Sequence, residues 1–383
     1  MSRKKSEVKP IVALAGGLMA VALGYGIYQF VNSRGMISEV SFLGGDDAQE
    51  PPPTLVYEFD TPMPDGAEQR ANRGGVPAVL EPVFVAADDS NLPEAAYVVG
   101  VAYGGEARAY SINLLDRHLV VNDTVGGRNI IVTCSPLRGA TIVFSREVDG
   151  EDLDFLSTGV LYRNGSLMYD TKTESFWSQY TGEALAGPMK GKWLTMLPSA
   201  SRVRFGDWLR EHPGTDVLRT GRQTHVTRSD YFQYYERAAS GEQPVREDDR
   251  LPGKDVVLGF YVNGTAMAYP MRVVRDESPL NVEIGGRRLV VCAEPSRDFI
   301  CAFERPPGTQ FAALDGHELV AEDGSKYNVI TGRGQGGETL IAVTVIRTFW
   351  FAWADLYPDT GLYMPVETES GAPSGEAVEA APG

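Results

Sequence analysis

Two stretches of the chain that begin 159 positions apart resemble each other. The segment VGVAYGGEARAYSINLL starts at Val99, and LGFYVNGTAMAYPMRVV starts at Leu258. The same offset pairs Gly100 with Gly259, Gly105 with Gly264, Tyr110 with Tyr269, Asn122 with Asn281, and Phe144 with Phe303. Further along, WLREHPGT from Trp208 resembles WADLYPDT from Trp353. The pattern predicts a duplicated domain. Two copies are too few for a solenoid, so we expect paired domains or one pseudo-symmetric unit.

Within each copy the residue pattern is mainly that of β-strands. VVGVAY-GG-EARAYS has two alternating runs around a glycine turn, which predicts a hairpin. Helices are few: Ile112–Leu119, Phe205–Glu211, and a segment from Ser229, which Ser229 or Asp230 would cap, lying between the copies. We therefore predict a β-rich α+β fold with two copies of a mainly antiparallel β domain. Both a barrel and a sandwich fit this pattern.

The N-terminus predicts a membrane anchor. Arg3, Lys4, Lys5 and Lys9 precede Ile11–Val31, a run without charged residues. A helix of that length spans about 30 Å, the thickness of the hydrocarbon layer. The basic flank predicts a cytoplasmic N-terminus and a periplasmic remainder, in a single-pass topology. A cleaved signal peptide is the alternative, since the segment 20–22 (AVA) resembles a cleavage site, but the apolar run continues past it.

These features divide the chain into seven predicted segments. They are a basic cytoplasmic N-terminus (1–10), a transmembrane signal-anchor (11–31), an acidic proline-rich tether (32–54), the first β-rich repeat (55–228), a helical connector (229–253), the second β-rich repeat (254–366) and a disordered tail (367–383). The tether and the tail contain too few apolar residues to form a core.

Charge and motifs argue against several functions. A net charge of −16 disfavours a nucleic-acid partner, because phosphate binding needs clustered lysine and arginine. GRGQGG at 332–337 matches a dinucleotide fingerprint, but the sequence that follows is rich in β-branched and aromatic residues and predicts a strand, so we predict a flexible hairpin loop and no nucleotide. HExxH and CxxC spacings do not occur in the sequence, so we predict neither a metal nor another cofactor.

Two polar segments and the cysteines hold the candidate site residues. HLVVNDTVGG, from His118, contains Asn122 and Asp123, which satisfy backbone groups around a turn in the structural interpretation. In the functional interpretation His118 is tuned for proton transfer by nearby carboxylates. LMYDTKTESFW contains Asp170 and Trp177, for which structural use is favoured. Cysteines at 292 and 301 either form a disulfide across a hairpin, leaving the cysteine at 134 odd, or stay reduced.

These motifs, together with SPLRGATIVFSREVDG and DDRLPGKDVVLGF, resemble the bacterial domain-of-unknown-function family 3179 (DUF3179) from about residue 75 to 363. Members of that family typically read H-E-x-V-N-D and then T-Y-C-P-L-C-G-T. Here His118 is retained, Leu119 replaces the glutamate, and Ser135 and Arg138 occupy the two cysteine positions, while Cys134 falls where the tyrosine usually stands. The resemblance implies that any metal or thiol chemistry of this loop is lost, leaving an arginine that is able to hold an anion.

Our leading hypothesis is a membrane-tethered binding or assembly module of the cell envelope, whose partner is an envelope protein or a small anionic ligand. Its candidate ligand-binding residues are His118, Asn122, Asp123, Ser135, Arg138, Asp170 and Trp177. The alternative is a metal-independent hydrolase or transferase that uses His118 with Asp123 or Asp170. A metal-binding or redox protein is the third hypothesis.

Overall fold

A computed structural model describes residues 59, 61–69, 78–163, 165–221, 224, 229, 231–237, 248–294 and 299–365. These residues belong to one compact unit. The predicted anchor, tether and tail lie outside the described residues. Within the described ranges, none of the helices has the length and apolar character needed to cross a bilayer. We refer to the described residues up to 224 as the N-terminal half and to those from 248 as the C-terminal half.

The strands of the N-terminal half are β1 (Ala67–Gln69), β2 (Val83–Ala86), β3 (Tyr97–Tyr103), β4 (Glu106–Ser111), β5 (Val120–Val125), β6 (Arg128–Ser135), β7 (Ala140–Ser145), β8 (Glu147–Val148), β9 (Glu151–Asp152), β10 (Phe155–Tyr162), β11 (Gly165–Asp170), β12 (Phe176–Ser178), β13 (Ala184–Ala186), β14 (Met196–Leu197), β15 (Ala200–Arg204) and β16 (Asp216–Arg219). Those of the C-terminal half are β17 (Val256–Val262), β18 (Thr265–Pro270), β19 (Leu280–Ile284), β20 (Arg287–Glu294), β21 (Phe299–Glu304), β22 (Phe311–Asp315), β23 (Glu318–Ala321), β24 (Lys326–Asn328), β25 (Ile346–Phe349) and β26 (Gly361–Leu362). The helices are α1 (Ile112–His118), α2 (Phe205–Glu211), α3 (Phe232–Glu236), α4 (Met271–Glu277) and α5 (Trp350–Leu356), with 3₁₀ turns at Ala87–Asp89 and Pro136–Arg138.

The sheets of the two halves follow similar orders. In the N-terminal half they are β1-β10-β11-β12-β13, β14-β7-β6-β5 and β15-β3-β4-β16-β2, with the small hairpin β8-β9. In the C-terminal half they are β22-β23-β24, β19-β20-β21 and β25-β17-β18-β26. Strands β4 and β16 pair in parallel, as do β18 and β26, and the other strand pairs are antiparallel. The β-rich α+β class predicted from the sequence is therefore confirmed.

Tight turns explain the first hairpin of each half. Gly104 and Gly105 join β3 to β4 with φ of 57° and 86°, and Asn263 and Gly264 join β17 to β18 with φ of 48° and 84°. Positive φ at both central residues is the condition for the two-residue turn that matches strand twist, and Gly-Gly and Asn-Gly tolerate it best. The hairpin predicted around the first of these turns is confirmed.

The helix predictions had mixed outcomes. Phe205–Glu211 is helical as predicted, and the first helix ends one residue early, at His118. The helix expected from Ser229 is only the five residues Phe232–Glu236. The prediction that the region after residue 337 is all strand was wrong, because β25 covers only four residues and helix α5 follows it.

Helix α5 escaped prediction because it is buried on every side. Trp350, Ala352 and Trp353 are fully buried, and Phe351 is 5% exposed. A helix without a polar face lacks the 3.6-residue alternation that identifies helices in a sequence. The glycine-rich segment 332–337 lies earlier, between β24 and β25, where bridges join Tyr327 to Gly334 and Arg333 to Thr339.

The core is continuous between the two halves. One hydrophobic cluster contains Trp177 and Tyr180 of the N-terminal half together with Trp350 and Trp353 of the C-terminal half. A second cluster packs helix α2 and strand β15 against strands β20 and β21. Because each half completes the other's core, separating them would expose large apolar surfaces to water.

Candidate functional site

Asn122 and Asp123 are neighbours on β5, so their side chains point to opposite faces of the sheet. The Asn122 side chain holds one backbone residue at two points: Nδ2 donates to the Phe155 carbonyl at 2.9 Å, and Oδ1 accepts from the Phe155 N–H at 2.8 Å. Asp123 accepts from the Tyr110 hydroxyl at 2.5 Å and from the Thr124 N–H at 2.7 Å. The structure therefore separates these two residues rather than gathering them in one site.

Burial of Asp123 changes its acidity. The side chain is 7% exposed, and burial raises the pKa of its carboxyl, while the hydrogen bonds from Tyr110 and Thr124 oppose that rise. Burial also raises the pKa of the Tyr110 hydroxyl well above its usual value, and the charge of Asp123 adds to that effect. The pair is thus an interior hydrogen bond that Tyr110 donates and Asp123 accepts.

Asp170 is fully buried and accepts five hydrogen bonds. Its Oδ1 accepts from the N–H groups of Lys172 at 3.2 Å and Thr173 at 2.5 Å. Its Oδ2 accepts from the Thr173 hydroxyl at 2.7 Å, the Ser175 N–H at 3.2 Å and Nε1 of Trp177 at 2.8 Å. A buried carboxylate is tolerated when donors surround it in this way. Asp170 and Trp177 are thereby brought together as the support of the polar turn that follows β11.

Arg138 lies in the turn between β6 and β7 and is 3% exposed. Its guanidinium packs over the ring of Tyr180, 4.6 Å from the centroid, and donates to the carbonyl of Arg163. A methyl group at Gly165 would stand 2.8 Å from its Cζ, so a larger residue there would require the guanidinium to shift. Burial lowers the pKa of the guanidinium from its ordinary value. Ser135, three residues earlier, is 1% exposed at the end of β6.

The Arg138 turn also joins the two halves. Oγ1 of Thr348, on β25, donates to the Arg138 carbonyl at 2.9 Å. Nη1 of Arg347 lies 3.4 Å from the carbonyl of Gly139, and a Cβ at Gly139 would meet the ring of Phe349 at 3.0 Å. The side chain of Arg138 thus faces the interior of the unit rather than the solvent.

His118 is the last residue of α1, and its side chain is partly buried. The following Leu119 takes φ of 56°, which ends the helix and turns the chain into β5. The carboxylates predicted to work with it, Asp123 and Asp170, have both oxygens engaged as described above. A catalytic role for His118 stays a prediction.

A disulfide joins Cys292 and Cys301, which face each other on the paired strands β20 and β21 with their Cα atoms 5.2 Å apart. Both are buried. The third cysteine, Cys134, is not part of a disulfide; it is 1% exposed, and its Sγ lies 3.4 Å from Oδ1 of Asp116.

Asp116 is a buried carboxylate that the sequence patterns did not identify. Besides the thiol of Cys134, it accepts from the hydroxyl of Ser229 and, at 3.3 Å, from the hydroxyl of Tyr235. The last two donors are 113 and 119 residues away along the chain. Residues so far apart in the chain do not form a short sequence motif, so only the three-dimensional structure reveals the cluster.

A second unpredicted cluster joins helix α2 to the turn between β22 and β23. Nε2 of His317 lies 3.3 Å from Oδ1 of Asp207 and 2.9 Å from Nη1 of Arg210, which itself lies 3.2 Å from the same carboxylate oxygen. Here too the partners are more than a hundred residues apart.

A small crevice lies between strands of the N-terminal half and Thr344 and Val345. Its lining combines hydroxyl and aliphatic side chains and includes the strand that follows the Arg138 turn: Thr141, Ile142, Val143, Leu197, Ser199, Ser201, Thr344 and Val345. Among the described residues, histidine, cysteine, aspartate and glutamate do not form a group of three or more able to hold a metal ion.

The chain belongs to the DUF3179 family. The family's model, described as a protein of unknown function, matches residues 73–360, which cover most of both halves. The resemblance read from the sequence motifs is thereby confirmed. Neither a curated protein nor a solved structure matches the chain.

Proposed function

We propose that this protein is a membrane-tethered, extracytoplasmic binding or assembly module of the cell envelope, built from two duplicated β-rich domains. The observation that carries the proposal is that the polar side chains predicted to form a site instead stabilise the fold. Asp170 and Arg138, which a reaction or a bound anion would need at a surface, are buried and hold parts of the fold together.

The duplication is supported by matching contacts in the two halves. Asn122 holds both backbone groups of Phe155, and Asn281 holds those of Phe311, with all four bonds between 2.8 and 2.9 Å. In each half an indole lies against a strand glycine and donates to a threonine: Trp208 with Gly100 and Thr215, and Trp353 with Gly259 and Thr360. Element lengths also match. In chain order, β3, β4, α1, β5, β6 and β7 have 7, 6, 7, 6, 8 and 6 residues. Their counterparts β17, β18, α4, β19, β20 and β21 have 7, 6, 7, 5, 8 and 6.

The location is supported by two independent features. Ile11–Val31 has the length and composition of a single transmembrane helix. The disulfide between Cys292 and Cys301 is typical of compartments outside the cytoplasm, where thiols are not kept reduced. An acidic, proline-rich tether at 32–54 would then hold the folded unit away from the membrane.

The burial of Arg138 favours a protein partner over a small anion held by this arginine. Such a partner would contact exposed side chains, and tryptophan is the residue type that contributes most to interfaces when it is exposed. Trp193 is 56% exposed on a hairpin in which Ala184 exchanges backbone hydrogen bonds with Gly191 and Lys192 at 2.9 Å. A rigid support of this kind reduces the entropy lost on binding.

Crosslinking of the full chain in native membranes tests the proposal. A discrete crosslinked product is expected, and Trp193→Ala should lower its yield at least threefold. Leu80→Ala, which truncates another exposed apolar side chain, is the matched control and should leave the yield unchanged. A chain that gives only the uncrosslinked monomer, under conditions that crosslink a known membrane complex in the same sample, would overturn the binding role.

A further inference from the structure

A short segment bridges the two halves across the turn that contains Arg138. We call it the strap: Ser229 together with residues 231–237. Its helix α3 has five residues, and none of them is buried. A helix of about one turn is not stable by itself in water. The position of the strap therefore depends on the contacts it makes with the two halves.

Three hydroxyl groups fix the strap to the N-terminal half. Those of Ser229 and Tyr235 donate to the buried carboxylate of Asp116, and that of Tyr234 donates to the carbonyl of Leu137 at 2.6 Å. Ser229 also accepts from the N–H of Tyr231 at 3.0 Å, which holds the strap's own backbone. Two of the three anchors thus share one acceptor.

On the other side, the strap rests on the C-terminal half through Tyr234. The ring of Tyr234 packs edge-on against Phe349, with centroids 6.2 Å apart, and the ammonium of Lys254 lies 4.1 Å from its centroid. Lys254 also donates to the Tyr234 carbonyl. Tyr234 and Tyr235 pack on a small apolar cluster of Phe349, Phe351 and Ala352, which is separate from the larger cores.

The thiol of Cys134 lies next to the strap, at the edge between Asp116 and the hydrophobic cluster of the N-terminal half in which this cysteine packs. Cys134 is 1% exposed and contacts Asp116, the same carboxylate that holds Ser229 and Tyr235. Burial, and then the charge of Asp116, raise the pKa of this thiol well above its usual value. Since the thiolate is the reactive form, Cys134 is inert while it is covered.

We propose that the strap is a detachable cover that opens as a unit, while both halves stay folded, and thereby gives solvent access to Asp116 and the Cys134 thiol. Opening breaks the hydrogen bonds of Ser229 and Tyr235 to Asp116, those of Tyr234 with Leu137 and Lys254, and a small apolar contact. The cores shared by the two halves contain no residue of the strap. Segments with few buried contacts open locally at a lower free energy than the whole fold. The strap is thus a conformational device that goes beyond the binding role proposed above and does not depend on it.

The thiol itself is the reporter. With Cys292 and Cys301 joined, iodoacetamide added to the full, unreduced chain modifies only Cys134, and mass spectrometry gives the rate. We expect the rate to rise with low concentrations of urea along a slope clearly smaller than that of global unfolding, because opening the strap exposes little surface. A labelling rate with the same urea dependence as global unfolding would overturn the proposal.

Variants sharpen the test. Ser229→Ala combined with Tyr235→Phe removes two hydrogen bonds to a charged acceptor and should raise the labelling rate by more than about a hundredfold. Tyr261→Phe, a hydroxyl deletion at a tyrosine 57% exposed on β17, is the matched control and should leave the rate unchanged. An unchanged rate in a folded double variant would also overturn the proposal. Should that variant fail to fold, the urea series on the unsubstituted chain decides the question alone.

Discussion

Replacing Asp170 by asparagine should destabilise the fold severely. Asparagine keeps one acceptor oxygen and presents an NH₂ group in place of the other. If the NH₂ replaces Oδ1, the N–H groups of Lys172 and Thr173 lose their acceptor; if it replaces Oδ2, those of Ser175 and Trp177 do. At least two bonds to a buried charge are lost either way. At about 1.5–3 kcal/mol each, the free energy of unfolding should fall by about 3–6 kcal/mol.

The measurement is urea unfolding of the purified full chain, followed by tryptophan fluorescence. Asp154→Asn is the control, because it makes the same chemical change at a carboxylate 55% exposed that pairs with Arg146 at 2.7 Å. Exposed pairs of this kind contribute under about 1 kcal/mol. If the Asp170 variant unfolds within about 0.5 kcal/mol of the unsubstituted chain, Asp170 is not a structural carboxylate, and a catalytic use of it regains support.

Three further predictions concern stability. Asn122→Ala should lower the free energy of unfolding by about 2–4 kcal/mol, since it leaves a buried donor and a buried acceptor of Phe155 unsatisfied. Asn281→Ala should cost less, because its two bonds to Phe311 are only partly buried, and the absence of any loss in urea unfolding would speak against equivalent roles. Gly259→Ala places a methyl group 2.2 Å from an indole carbon and should cost about 1–3 kcal/mol by calorimetry, whereas Gly214→Ala, which meets nothing within 4 Å, should not. Because burial raises the pKa of Asp123, the folded chain keeps that proton to a higher pH than the unfolded chain does, and the resulting stabilisation is complete below the ordinary value of 3.8 and lost as pH rises through the folded pKa. The stability of Asp123→Asn relative to the unsubstituted chain should therefore improve as pH rises from 3 to 7, and a constant difference in unfolding experiments across that range would contradict the assignment.

The sequence predicted correctly those parts of the fold that depend on neighbouring residues. The Gly104–Gly105 turn, the alternation on either side of it and the helix Phe205–Glu211 were all predictable, because turn geometry and periodicity depend on neighbouring residues. The constant offset between Asn122 and Asn281 was visible for the same reason. Each asparagine does the same local work on its own backbone partner.

The candidate site was harder, because burial is decided by residues far away in the chain. From the sequence, Arg138 is expected to be an exposed cation. It is buried because Tyr180, the Arg163 carbonyl and Thr348 of the other half contact it. Asp116 has no motif, and two of its donors come from the strap, more than a hundred residues away. Asp170 was the exception, since its donors follow within seven residues as a turn motif, and the structural role favoured for it from sequence agrees with its contacts.

The extracytoplasmic location, on which the proposed function depends, is most directly tested by counting thiols in cells that produce the full chain. Cells are quenched in acid, the protein is denatured, and maleimide-polyethylene glycol is added with or without prior reduction. One adduct without reduction, at Cys134, and three after reduction are expected if Cys292 and Cys301 are joined in the cell. Three adducts without reduction would show that the pair stays reduced, and would contradict an oxidising compartment for the folded unit.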